Sequence, residues 1–98
     1  MILEHVLLPV RPGCEAEFEA AIPLATPIIS SMPGFQSLSF TRCIERPNMY
    51  LLLVEWATLE DHTEGFRGSL EYQQWRALLH PFYEFLPDVA HFTAVHNC

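Results

Sequence analysis

FQSLSFTRCIERPNMYLLLVEW, residues 35–56, is the stretch on which the fold turns. From Phe35 to Ile44 the side chains alternate. Gln36, Leu38, Phe40, Arg42 and Ile44 share one parity and Phe35, Ser37, Ser39, Thr41 and Cys43 the other. Period-two alternation is the signature of a strand with two unlike faces. Glu45-Arg46-Pro47-Asn48 supplies turn residues. Residues 49–56 (MYLLLVEW) then return as a second strand, apolar on both parities, which is the pattern of a strand covered on both sides. A hairpin in the middle of a short chain leaves room for one further strand and one helical region on each side.

Upstream, residues 14–31 carry a helical pattern, with Phe18, Ile22, Ala25 and Ile29 on one face and Glu15, Glu17 and Glu19 near the positive end of the dipole. Pro23 and Pro27 lie inside it. An interior proline removes a hydrogen bond and clashes with the preceding turn at a cost of about 3 kcal/mol, so a kink or break is expected near Pro23. Met32-Pro33-Gly34 closes this region and Arg11-Pro12-Gly13 opens it. Before them, residues 2–10 (ILEHVLLPV) read as a strand with Ile2, Val6, Leu8 and Val10 on one parity and Leu3 and Leu7 on the other.

Downstream, Thr58 and Asp61 fit a helix-start signature for a segment over 59–66, with Asp in place of the usual Glu. Gly65 and Gly68 bracket a break, Ser69 is placed to cap a helix over 70–80, Pro81 ends it, and 89–96 (VAHFTAVH) reads as the last strand. The order β-α-β-β-α-β predicts an α+β, ferredoxin-like fold with a four-stranded antiparallel sheet, expected as a single domain over 1–98.

Both helical regions fall on one face of such a sheet, yet strands 2–10 and 49–56 are apolar on both parities. The second face must be covered, and no spare element remains. A second copy of the chain is the economical cover, since twofold self-association is the commonest symmetry, so a homodimer is expected. Half the residues are hydrophobic, the formal net charge is -7, and the five basic residues are scattered arginines with no lysine. No basic patch exists to follow a phosphate backbone or an anionic membrane, so neither nucleic acid nor membrane is an expected partner. The opening Met-Ile-Leu-Glu-His lacks the plan of a signal peptide, and Cys14, Cys43 and Cys98 are few and widely spaced. The expectation is a cytoplasmic protein with reduced thiols.

Several short runs carry a family likeness. Val10-Arg-Pro-Gly13 ends the first strand, Met32-Pro-Gly-Phe35 closes the helix, and Glu55-Trp56 ends the third strand. Trp56-x-x-Leu-Glu-Asp-His62 and Phe66-Arg-Gly-Ser-Leu-Glu-Tyr72 follow. In order and spacing these resemble the antibiotic biosynthesis monooxygenase domain over nearly the whole chain. The resemblance implies a dimeric α/β-barrel, two sheets packed face to face around the twofold. It also implies oxidation of small aromatic or quinone-type molecules by molecular oxygen, without flavin, haem or metal. Haem-degrading relatives place an Asn on the first strand, a Trp in the helix after the third, and a ligating His beyond it. Here those places hold His5 or Val6, Phe66 and Arg76, with His80 a little further on, so haem is not the expected ligand.

Within that likeness His62 stands where the family often has a histidine near its cavity. Imidazole titrates near neutral pH, so His62 is the candidate catalytic base for a phenolic substrate; the plain alternative is a histidine beside a helix cap. Phe66, Tyr72, Trp75 and Trp56 are the candidate substrate-binding residues, since flat apolar walls suit a planar ring; ordinary core packing is the alternative for each. His5 and Glu55 are a candidate proton-transfer or structural pair if strands 2–10 and 49–56 are neighbours. His91 and His96 are five apart on a strand and point to opposite faces, and His62 and His80 stand on separate helical pieces, so no metal is expected. No nucleophile elbow, phosphate loop or dinucleotide fingerprint is present. A non-catalytic small-molecule binding or stress-response module, or a proton-transfer isomerase, uses the same pocket in the rival readings.

Overall fold

The computed structural model describes residues 1–97; Cys98 lies outside the described residues. Strands β1 (Ile2–Pro9), β2 (Phe35–Arg42), β3 (Met49–Trp56) and β4 (Val89–Phe92) form one antiparallel sheet in the order β2-β3-β1-β4. The two strands that are apolar on both parities, β1 and β3, are the central pair. Helices α1 (Glu15–Ser30) and α2 (Leu70–Leu79) complete the β-α-β-β-α-β order, the ferredoxin-like arrangement read from the sequence. Among the described residues no helix is long and apolar enough to cross a membrane.

Alternation divides the sheet. Glu4, Val6 and Leu8 of β1 and Tyr50, Leu52, Val54 and Trp56 of β3 are buried on the inner face. They meet Phe18, Ala21, Ala25 and Ile29 of α1 and Trp75 and Leu79 of α2. Phe18 is the hub, with edge contacts to Phe40, Tyr50 and Phe82 at ring-centroid distances of 6.1, 4.9 and 6.0 Å. The opposite face shows Leu3, His5, Leu7, Leu51, Leu53, Ala90 and Phe92, with the hydroxyls of Ser37, Ser39 and Thr41 toward the β2 edge. Leu7 and Phe92 are each 50% exposed in the single chain.

Three details differ from the expectation. Helix α1 does not break at Pro23. Pro23 and Pro27 are one turn apart on its exposed side, so the carbonyls they leave unpaired face water, while the buried stripe holds the helix to the sheet. The segment expected as a helix over 59–66 is helical throughout, but from Asp61 to Phe66 it is wound as a single π-helical turn, in which Arg67 N–H donates to the His62 carbonyl at 3.1 Å. Strand β4 stops at Phe92 rather than 96, because its partner β1 begins at Ile2 and the antiparallel ladder runs out there.

The start of the π turn is pinned as the sequence suggested. Thr58 N–H donates to Asp61 Oδ2 at 3.1 Å, and Asp61 N–H donates to Thr58 Oγ1 at 3.2 Å. The Asp61 carboxylate lies against Gly34, whose φ of +84° and lack of a Cβ let the α1–β2 turn pass beneath it. Ser69 then caps α2, its Oγ accepting from Tyr72 N–H at 3.1 Å.

Candidate functional site

Between the inner face of the sheet, the π turn, α2 and the segment following α2 lies a cavity of ≈ 190 Å³. Val6, Leu8, Leu52 and Ile29 give it apolar walls, Phe66, Tyr72, Trp75 and Tyr83 give it aromatic ones, and Glu4, His62, Arg67 and His80 bring the titratable groups. The π turn sets this up. It holds His62 and Phe66, four residues apart, both buried and both toward the sheet, and leaves Arg67 exposed at the rim. π-helical turns recur at functional sites because they aim side chains that a regular helix would rotate away.

Glu4 is the unexpected member. It shares the inward parity of Val6 and Leu8 and is only 6% exposed. Trp56 Nε1–H donates to Glu4 Oε1 at 2.9 Å, and His62 Nε2 stands 3.4 Å from the same oxygen. Trp56 also stacks on the His62 ring, centroids 5.5 Å apart and planes at 20°. On the far side of His62, its Nδ1 lies 2.7 Å from Nε2 of His91. His91 is on β4 directly opposite Glu4 in the β1–β4 ladder, so both reach the histidine from neighbouring strands.

Burial governs the charges here. It pushes Glu4 above the usual carboxylate range, with the Trp56 hydrogen bond and the Arg67 charge pulling the other way. It pushes His62 down to about 3, helped by the positive charge of Arg67 and by His91, so the ring is neutral at pH 7. His91 is lowered by burial and Arg67, and His80 by burial and Arg76. Burial, together with Tyr72 and Glu4, raises the Tyr83 phenol, which stays protonated. The site therefore offers a raised carboxylate, neutral imidazoles and one guanidinium at its edge, a set suited to moving protons next to an apolar ligand.

Of the residues singled out in the sequence, His62, Phe66, Tyr72 and Trp75 line the cavity together. Trp56 does not; it is fully buried behind Glu4 and His62 and holds both in place. His5 and Glu55 are not brought together as a pair. The register sets His5 opposite Leu53 and Glu55 opposite Leu3, on the outer face away from the cavity. His5 turns its ring instead to Phe92, 5.5 Å away. His96 falls beyond β4. Glu4, Arg67, Tyr83 and His91 were missed. A carboxylate at an inward parity between Ile2 and Val6 was a usable signal for Glu4; His91 depends on a register that only the folded sheet sets. Among the described residues no group of three His, Cys, Asp or Glu side chains has the placement to hold a metal ion.

Fold and cavity together define an α+β protein whose aromatic-walled pocket is set between the sheet and its helices. The chain belongs to the antibiotic biosynthesis monooxygenase family, whose model matches residues 1–78. It is 56% identical over 95 residues to the Bacillus subtilis protein YczJ, covering 97% of this chain and all of that one. Among solved structures, a candidate antibiotic biosynthesis monooxygenase from Bordetella bronchiseptica superposes with a TM-score of 0.93 at 36% identity, covering 97% of each chain. SnoaB, a cofactor-independent oxygenase from Streptomyces nogalater, shares the fold with a TM-score of 0.84 at 18% identity, over 98% of this chain and 94% of its own.

Proposed function

We propose that this protein is a cofactor-independent monooxygenase of small aromatic or quinone-type molecules, acting as a cytoplasmic homodimer. The observation that carries the reading is the neutral, buried His62 held between Glu4 and His91 at an aromatic-walled cavity. A phenol or activated ring CH₂ seated against Phe66, Tyr72 and Trp75 gives its proton to His62, with Glu4 beside the receiving nitrogen. The Arg67 guanidinium at the rim favours the resulting anion. That anion is electron-rich enough to reduce oxygen itself. One electron passes to O₂, the radical pair closes a C–O bond, and a peroxide anion forms on the ring carbon. Loss of the remaining hydrogen on that carbon with cleavage of the O–O bond leaves a carbonyl and hydroxide, and the proton taken at the start converts hydroxide to water. One CH₂ and one O₂ thus give one C=O and one H₂O.

The cavity volume sets the substrate size. At ≈ 190 Å³ it lies below the ~300–1,000 Å³ of sites for drug-sized ligands, which suits one or two rings and not a tetrapyrrole. The apolar outer face, with Leu7 and Phe92 half exposed, supports the homodimer, as does the family's face-to-face barrel.

Oxygen-electrode assays on small quinols and two-ring naphthol-type substrates test the proposal. Oxygen uptake stoichiometric with carbonyl product is expected, falling about 10²–10⁴-fold in His62→Gln. Because the Glu4–His62 dyad is equally suited to proton transfer, the isomerase reading has its own support. Exchange of a substrate C–H for deuterium without oxygen consumption would decide for it, and tight binding with neither reaction would decide for a binding module.

A further inference from the structure

His62 presents a difficulty as a base. It is 3% exposed, and its surroundings depress its basicity so far that an isolated buried imidazolium is disfavoured at neutral pH. Its ring nitrogens are nevertheless both occupied in a line that leads outward. Nε2 faces Glu4 Oε1 at 3.4 Å beside the cavity, and Nδ1 faces His91 Nε2 at 2.7 Å. His91 does not line the cavity; it is half-buried on the edge strand β4, at the border between the core and water.

We propose that His91 is the solvent-side end of a two-histidine proton relay, so that His62 accepts a substrate proton at Nε2 while passing its Nδ1 proton to His91. The inference rests on the deprotonation step proposed above. In the receptive state His62 carries its proton on Nδ1 and donates it to His91 Nε2, and His91 carries its own on Nδ1. The substrate proton bonds to His62 Nε2, the His62 Nδ1–H bond breaks as the His91 Nε2–H bond forms, and the His91 Nδ1 proton leaves to water. Both rings end neutral in the other tautomer, and the substrate anion is the only new charge in the cavity. When hydroxide departs later in the cycle the same protons run back, and water leaves with the starting tautomers restored. The relay thereby removes the cost of charging a buried ring, which is what the site most strongly opposes.

The groups facing the pair fit this role. From β1, Glu4 stands beside Nε2 and favours the N–H formed there, and from the π turn the Arg67 charge disfavours any lasting imidazolium on either ring. Trp56 stacks on His62 and holds its plane, and Tyr72, His80 and Tyr83 remain on the cavity side.

The test begins on the free protein, where it does not depend on any oxygenase activity. With ¹⁵N-labelled histidine, wild-type His62 is expected to show ring-nitrogen shifts averaged between the two neutral tautomers. His91→Gln, whose amide oxygen still accepts from Nδ1–H but cannot pass a proton on, is expected to lock His62 as the Nδ1–H form. A locked tautomer in both proteins, averaging in both, or an imidazolium at pH 7 would each overturn the relay. With a turned-over substrate, His91→Gln is expected to lower kcat about 10²-fold with little change in KM. Imidazole in the buffer is expected to restore rate to His91→Ala in a saturable, pH-dependent way. Loss of rate without that rescue, and with unaltered His62 shifts, would reduce His91 to a packing residue. Failure of every substrate in wild type alongside the NMR switch would instead sink the oxygenase reading and leave the relay standing.

Discussion

The two faces of this sheet are made from the same strands and have opposite contents. Leu8 and Leu7 are adjacent, yet Leu8 is 2% exposed under the helices and Leu7 is 50% exposed on the other side. The inner face holds the core and every polar group of the candidate site, where Glu4, His62 and His91 are kept together by β1, the π turn and β4. The outer face is greasy along β1 and β3 and carries no ion pair among the described residues; the Arg42–Glu19 pair is on the surface, and the close contact inside is between Glu4 and a neutral His62. Alternation along a strand thus gives one sheet two unlike surfaces without extra chain: a cavity with titratable groups on one side and an exposed apolar surface on the other. A charge on the inner face is costly and is retained for what it does, whereas apolar side chains on the outer face need only a matching surface.

The largest expected effect breaks that comparison at its sharpest point. Leu8→Ala removes a buried side chain beside the cavity and is expected to cost about 2–5 kcal/mol in chemical denaturation. Leu7→Ala, measured as a monomer at high dilution, is expected to cost under about 0.5 kcal/mol. Equal losses would mean that the faces are not functionally distinct. Next comes the outer face itself. Leu53→Glu sets a carboxylate in the middle of it, and sedimentation is expected to show at least a tenfold weaker dimer, about 1.4 kcal/mol, with the circular dichroism of the fold retained. A wild-type protein that sediments as a monomer at micromolar concentration would remove the outer face's assigned task.

The smallest effect concerns pH and sharpens the description of the inner face. His62 falls to about 3 in the folded state from an ordinary 6.5, so below pH 6.5 the unfolded chain binds a proton that the native chain refuses. Stability from this group is complete above 6.5 and is lost as pH falls toward 3, by at most about 1.4 kcal/mol per pH unit. His80 and His91 act in the same direction. Glu4, raised by burial, acts oppositely, since the native state holds its proton longer and gains relative stability as acid protonates it. Denaturation midpoints from pH 7 to pH 4 are expected to fall in wild type and to fall less steeply in His62→Gln. Identical slopes would place His62 in a solvated setting.

Much of this protein was legible before folding. The hairpin of residues 35–56, the flanking helical regions and the double-sided apolar patterns of β1 and β3 fixed the fold class, because periodicity reports directly which side chains share a face. His62, Phe66, Tyr72 and Trp75 could be nominated as cavity residues from family likeness, since their spacing after β3 is local. The pairings were not local. His5 and Glu55 are placed by a register that sets each opposite a leucine. Glu4, Trp56, His62 and His91 are scattered from one end of the chain to the other, and they meet only because β1 lies between β3 and β4 while a π turn swings His62 over Glu4. Pattern along a chain encodes burial one residue at a time; contact between distant residues is a property of strand order and register, and those exist only once the chain has folded.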